Sequence, residues 1–411
     1  MKLILAETHY WDSAPRVDSH HLALHLARRG HEILYLSSPA SIFHLLQRKN
    51  WHHKWRRLTR YCGMGQVIIP NLRAIVPLTW APVQARYPLD SPAQLRRSLA
   101  WTTPSLRKTI HKLGFASPDA LLIQSLFFAN LPDWFPDTPV LYRMTDDFDA
   151  FPGMPRALVQ AEAPLVQRAE LVTVCSEFLI ARAKAMRAKR IELLPHGVDI
   201  DLFEQPLKTS SPASDRPRVI YVGAIDSWFR ADCVAEAARR LPQVDFEIAG
   251  PVGAADLSAL ANMPNVRMVG PVPFAQVPQF MHGAKVGIIP FKRTPLIEPV
   301  RPLKLFEYLA AGLNVVATRW TELESVQKLW CKPLASSDTP ELWCRLPACS
   351  DAQAPLILAD SAQEFASAVE RALHEPSSDA GRQFASENSW SRRADELEAM
   401  IRSISRIVGC R

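Results

Sequence analysis

Two segments of this 411-residue chain carry side chains whose types and spacing could do chemistry. The first is Val300-Arg-Pro-Leu-Lys-Leu-Phe-Glu-Tyr-Leu-Ala-Ala-Gly312. Pro302 suits a first helical turn, where its missing N–H would go unpaired anyway, and Gly312 suits a helix end. The free amides and partial positive charge of such a helix start form a site for a diphosphate. Lys304 would add a full charge there, and Glu307, one turn on, could accept two hydrogen bonds from a ribose diol. Packing is the competing account, with Leu305, Phe306 and Leu309 in a core and Lys304 and Glu307 in solvent. The second segment, Tyr142-Arg-Met-Thr-Asp-Asp-Phe-Asp149, sets three acids within four residues behind an apolar strand. A carboxylate at the C-terminal end of a parallel strand can deprotonate a hydroxyl, and adjacent acids raise one another's pKa. Asp146 and then Asp147 are the candidate bases; a solvated turn or a helix cap is the alternative.

Weaker signals surround these. Trp11-Asp-Ser-Ala-Pro-Arg16 and Ser19-His-His21 join a first strand to a first helix, and Arg16 and His20 could meet an anionic acceptor. No acid occurs between Glu32 and Asp90, while Arg48, Lys49, Lys54, Arg56, Arg57, Arg60, Arg73 and Arg86 fall within that interval. A one-sided field needs an anionic partner. In FHLLQRKNWHHKWRRLTRY, residues 43–61, Trp51, Trp55 and Leu58 share a helical face. Basic residues among tryptophans suit an anionic membrane surface, each cation contributing ~1 kcal/mol near anionic lipid. Trp51, Trp55, Arg56 and Arg57 are the expected contacts. Nucleic-acid binding is the rival and is not expected; a helix packing its tryptophans inward is the plain alternative.

The elements that must position these groups follow from apolar periodicity. Strands are expected at 3–6, 32–36, 120–123, 140–144, 171–174 and 191–194, with a helix at 20–29. A polar, proline-containing stretch covers 203–217. Strands resume at 218–222, 245–249, 266–269, 286–290 and 314–317. The fold class is α/β, with two Rossmann-like domains facing each other across a cleft. The expected bounds are 1–205, a linker at 206–217, a second domain at 218–385, and a closing helix at 386–411 packing back on the first domain. No apolar run is long enough to span a bilayer, and Lys2 is followed by too short a run for a signal peptide. Seven scattered cysteines fit free thiols in a reducing compartment, so a cytoplasmic setting is expected. Cys331, Cys344 and Cys349 cluster in what reads as a surface insertion.

Several short motifs in order resemble glycosyltransferase family 4, transferases of GT-B architecture that use nucleotide sugars. They are Val219-Ile-Tyr-Val-Gly-Ala-Ile225, Phe246-Glu-Ile-Ala-Gly-Pro251, Asn265-Val-Arg-Met-Val-Gly270, Val286-Gly-Ile-Ile-Pro-Phe291 and the 302–312 helix. Within that group the chain is similar to teichuronic-acid transferases and xanthan-type glucuronosyltransferases, which carry Pro-x-Lys-x-x-Glu in place of Glu-x7-Glu. The resemblance implies Gly223 by the donor phosphates, Gly250 by the ribose, the turn from Gly270 to Phe274 on the base edge, Lys304 at the diphosphate and Glu307 on the ribose. Arg230 would be a displaced donor-site cation, and Asp146 the base; Glu298 falls one residue out of the older spacing. It implies no cofactor, and no metal at Asp147 and Asp149, since such enzymes stabilise the leaving diphosphate with amides and cations. The expected reaction moves a sugar from a nucleotide diphosphate, a UDP-sugar with UDP-glucuronate as one candidate, onto a lipid-linked glycan. Its setting would be surface or exopolysaccharide assembly on the inner membrane face. The alternatives are a sugar-nucleotide epimerase or hydrolase of the same fold, and a non-catalytic nucleotide-sugar-binding partner.

Overall fold

The computed structural model describes residues 1–13, 16–45, 51–204, 216–331, 355–377 and 379–409. They form two compact units, one of Met1–Pro195 with Arg393–Arg411 and one of His196–Arg392. The division thus falls at 195/196, ahead of the 205/206 boundary that composition suggested. The chain returns to the first unit at Arg393, later than 386. Most of the 206–217 stretch, and Cys344 and Cys349, lie outside the described residues.

In the first unit the strands are β1 (Lys2–Glu7), β2 (Glu32–Ser37), β3 (Ala40–Ser41), β4 (Gln66–Ile69), β5 (Leu72–Ile75), β6 (Leu78–Thr79), β7 (Ala120–Ile123), β8 (Val140–Met144), β9 (Leu171–Val174) and β10 (Ile191–Leu193). Eight of them make one sheet in the order β10-β9-β8-β7-β1-β2-β5-β4, parallel throughout except for β4 against β5. The central strands are apolar on both faces because both are covered, as parallel sheets require. One buried polar knot holds the top of this sheet. Asp18, opening the Asp18–Arg28 helix, accepts from Arg143 Nε on β8 and from Gln124 Nε2 after β7, each at 2.7 Å. Arg143 Nη1 also donates to the Leu194 carbonyl at 2.8 Å, so a single guanidinium joins helix start, strand and the end of the unit. The Trp390–Gly409 helix closes the unit through Asp395 on Arg29 (2.9 Å) and Glu398 on His31 (3.1 Å).

The second unit contains β11 (Arg218–Val222), β12 (Asp245–Ala249), β13 (Val266–Gly270), β14 (Val286–Ile289), β15 (Asn314–Thr318) and β16 (Leu356–Ala359). Their order is β13-β12-β11-β14-β15-β16, all parallel. Every stretch expected as a strand is one, to within a residue at either end. The β4–β5 hairpin, the β3–β6 pair and β16 are additional.

Candidate active site

The candidate donor-side geometry is built where β11 and β12 end. Gly223 and Gly250 have φ of +149° and +146°, conformations that side chains rarely adopt. Gly223 N donates to Ala249 O at 2.9 Å and Gly250 N to Gly270 O at 2.8 Å. A Cβ on Gly250 would collide with the Gly223 carbonyl, so the two turns can approach only as glycines. A Cβ on Gly223 would lie 3.1 Å from Lys304 Nζ, which places that amine directly over the turn.

Lys304 comes from the Leu303–Ala310 helix, whose N-cap is Pro302 with φ −72° and ψ 134°. Its amine lies 5.2 Å from the Tyr221 ring centroid and 4.7 Å from that of Phe291. Tyr308 on the same helix covers Gly287, where a Cβ would strike its ring, and its hydroxyl accepts from Val222 N at 2.9 Å. Those contacts fix the helix against the sheet, and hence Lys304 over Gly223. Burial lowers the Lys304 pKa to about 8, an effect Glu307 opposes. Burial likewise raises Glu307 to about 7, opposed by Lys304. Neither side chain hydrogen-bonds to another described residue. A cation and a carboxylate, costly to hold and unspent, stand at a helix start beside two glycine turns.

The other donor candidates are placed differently. Arg230 pairs with Asp232 at 2.6 Å and reaches the Asp360 carbonyl at 3.4 Å, so its charge is engaged by Asp232. Phe274 opens the short turn Phe274–Gln276 and is partly buried. Glu298 pairs with Arg293 and accepts from Thr321 N at 2.9 Å.

In the first unit, Asp146 stands two residues beyond β8, its carboxylate accepting from Thr145 Oγ at 2.9 Å. Its pKa rises to about 6, first through burial, with the charges of Asp18 and Glu7 adding; the Thr145 bond and His9 act the other way. Asp147 and Asp149 do not supply that shift, contrary to the expectation of three mutually repelling acids. Both pair with Arg182, at 2.7 and 3.0 Å, and the same guanidinium meets buried Glu162 at 2.7 Å. Glu162 in turn accepts from the Tyr142 hydroxyl at 2.7 Å. Asp147 also caps its own turn through the Asp149 amide. Held by Arg182 and capping its own turn, Asp147 reads as structural, and Asp146 remains the candidate base.

His20 is also corrected. It is fully buried, stacked on Tyr35, with Nε2 on the Tyr10 carbonyl (3.1 Å) and Nδ1 accepting from Val17 N (3.2 Å). Burial lowers its pKa to about 4, so it shapes the loop as a neutral ring and has no atom left for an acceptor. Arg16 is partly exposed, donates to the Trp11 carbonyl at 3.2 Å and lies 5.2 Å from the Trp11 ring. The sequence pattern did not single out Glu7, His9 and Asp18, although Glu7 and His9 stand two apart at a strand end. Among the described residues no group of three or more His, Cys, Asp or Glu side chains could hold a metal ion.

The basic helix spans Trp51–Tyr61. Trp55 is 48% exposed and Arg56 is exposed, whereas Leu58 turns inward. Arg57 is withdrawn from the expected surface set, because it pairs with Asp12 at 2.7 Å and lies 4.1 Å from the Tyr10 ring. The side chain of Trp51 lies outside the described residues. Two further tryptophans are exposed: Trp80 N donates to the Trp101 carbonyl at 2.9 Å, and the two residues are 52% and 56% exposed. Among the described residues no helix is long and apolar enough to cross a membrane.

Comparison with known proteins places these features. Residues 4–175 match the family "Glucuronosyltransferase GumK, N-terminal domain", and residues 216–375 match "Glycosyl transferases group 1". TuaH of Bacillus subtilis (strain 168), named for teichuronic acid biosynthesis, is 29% identical over 195 residues. That match spans 45% of this chain and 49% of TuaH, about half the length of the relative. Sucrose-phosphate synthase from Thermosynechococcus elongatus superposes with a TM-score of 0.68 at 16% identity, covering 98% of this chain and 99% of that one. Anabaena HepE in complex with UDP-glucose gives 0.63 at 13% identity, covering 98% and 100%. At such identities the structural likeness concerns the fold. The C-terminal half thus matches the group 1 glycosyltransferases over residues 216–375, the N-terminal half matches the GumK N-terminal domain over residues 4–175, and the chain has the GT-B fold.

Proposed function

We propose that the chain transfers a sugar from a UDP-sugar, with UDP-glucuronate the leading donor, onto a lipid-linked glycan at the cytoplasmic face of an anionic membrane. The observation that carries this is the unspent Lys304–Glu307 pair on a Pro-capped helix start over Gly223. Lys304 and the first-turn amides would neutralise the leaving diphosphate, and Glu307 would take the ribose hydroxyls. Asp146 would accept the acceptor's hydroxyl proton as the new C–O bond forms and the bond from the anomeric carbon to the diphosphate breaks. The HepE complexes with UDP and UDP-glucose support UDP, and the GumK-type domain supports a uronic acid donor.

The membrane reading is supported by where apolar side chains are left in solvent. Of ten exposed large apolar residues among those described, seven (Phe43, Trp55, Met64, Val67, Trp80, Tyr87 and Trp101) fall in or just beyond the acid-free interval. Exposed apolar side chains of this kind suit an interaction surface, and the basic residues of the same interval would select an anionic one. The deciding experiment is a thermal-shift panel of UDP, GDP and nicotinamide nucleotides, followed by transfer assays. UDP should stabilise the protein, and Glu307→Gln should weaken that binding by ~1–3 kcal/mol. No UDP response in the parent, or an undiminished one in both Glu307→Gln and Lys304→Met, overturns the donor assignment.

A further inference from the structure

We infer that His9, clamped by buried Glu7 at the end of β1, is a positioning residue for the acid–base step: at the sheet edge it shares with Asp146, it supplies the imidazole that favours the proton-accepting form of that carboxylate. The inference rests on Asp146 being the base, as proposed above.

The strands put these residues at one edge. β8, β7 and β1 are consecutive and parallel, so their C-terminal ends all emerge at the same side of the sheet. Glu7, Thr8 and His9 finish β1, Gln124 and Ser125 come directly after β7, and Thr145 and Asp146 directly after β8. Thr8 Oγ donates to Ser125 Oγ at 2.9 Å, joining the first two ends. Glu7 is 2% exposed, and its Oε1 accepts from Thr8 N at 2.6 Å and His9 N at 3.2 Å while lying 3.2 Å from His9 Nδ1. Its Oε2 is buried and has no hydrogen-bond partner. A buried carboxylate served on one oxygen alone favours a cation beside it, and the imidazole is the group in place. The His9 side chain is 45% exposed, so it exchanges protons freely with solvent.

Every charged or titratable neighbour acts consistently on His9. The Glu7 bond raises its pKa most, burial opposes this, and the charges of Glu7, Asp18 and Asp146 raise it further. His20, from the adjacent helix, is neutral through burial. Asp18 is already paired with Arg143. Asp146, by contrast, is partly buried within reach of Glu7 and Asp18, both of which oppose its ionisation. Without His9 the carboxylate would lose one of two influences that favour its ionised form, the Thr145 bond being the other, and would hold its proton to higher pH.

A purely structural role, tying down the β1 turn, predicts something different. The test is the pH profile of sugar transfer by the full chain, with UDP-sugar donor, for His9→Gln and His9→Lys. His9→Gln should move the acid limb of kcat/KM to higher pH with donor KM unchanged, and His9→Lys should restore the limb. Adding His9→Gln to Asp146→Asn should cost nothing further. Independently of activity, the histidine NMR titration of His9 should move to lower pH in Asp146→Asn, because the coupling is mutual. An unmoved limb in a folded His9→Gln protein, an equal loss at every pH, or a His9 titration indifferent to Asp146→Asn each overturns the inference. If Asp146→Asn alone leaves turnover intact, it is the base assignment that falls, and the NMR coupling still reports on His9.

Discussion

Replacing Lys304 by methionine should stabilise the nucleotide-free protein while abolishing its grip on the diphosphate. The amine sits 5.2 and 4.7 Å from two aromatic ring centroids, with no hydrogen bond to a described residue, and burial brings its pKa from 10.5 to about 8. At about 1.4 kcal/mol per pH unit, keeping it charged costs the folded unit about 3 kcal/mol. The sign comes from proton counting. Below about pH 8 both folded and unfolded chains carry the proton, and the cost is constant. Between about 8 and 10.5 the unfolded chain binds a proton that the folded one sheds, so stability climbs with pH. Methionine keeps the length and packing without the charge. Glu307 loses its cationic neighbour and rises further above about 7, which returns part of the gain. About 2 kcal/mol should remain at pH 7, or roughly 4–8 °C in Tm at the scale of a unit this size. The gain should narrow by at least half at pH 9.5. Melting curves at the two pH values, with and without UDP, measure both effects. A variant that melts no higher than its parent at pH 7, or that keeps the full UDP-induced shift, refutes the reasoning.

Asp146→Asn should retain the UDP-induced shift while turnover falls by ~10²–10⁴, and in the parent activity should be lost as pH drops through about 6. Arg182→Ala should lower stability by about 3–5 kcal/mol in urea melts, because it strands buried Glu162, whereas Asp147→Asn, removing one partner of several, should cost under about 1 kcal/mol. Flotation with anionic vesicles should recover the protein, neutral vesicles should not, and high salt should release it. Arg56→Glu, or Trp80→Ala with Trp101→Ala, should weaken that flotation; equal recovery from both lipid types would remove the charge argument.

The candidate donor site was the more legible because its determinants are local. Pro302, Lys304, Glu307 and Gly312 occupy one helix and its cap, and Gly223 and Gly250 each end a strand whose apolar run is visible. The acid–base edge depends on partners far apart in sequence. Arg182 lies 33 residues beyond Asp149, and nothing local announces that it neutralises the acidic turn. The Arg143–Asp18 pair is separated by 125 residues and hides an arginine inside an otherwise apolar strand. His20 looked available because its neighbours are polar or small, but tertiary packing with Tyr35 and Trp11 buries it. Strands β4 and β5 escaped notice because each is only four residues long, although Pro70 and Asn71 between them are turn-forming residues.

The Tyr308 hydroxyl has a consequence for amide exchange. Val222 N–H, the last of its strand, is held by that side chain rather than by a neighbouring strand. Its exchange with deuterium therefore needs the helix to lift from the sheet, while amides a few residues earlier need the sheet itself to open. A single backbone proton becomes a clock for the helix that carries Lys304 and Glu307. A bound diphosphate that pins this helix should slow exchange at Val222 far more than at Ile220, and Tyr308→Phe should make the Val222 proton exchange quickly with the sheet still closed.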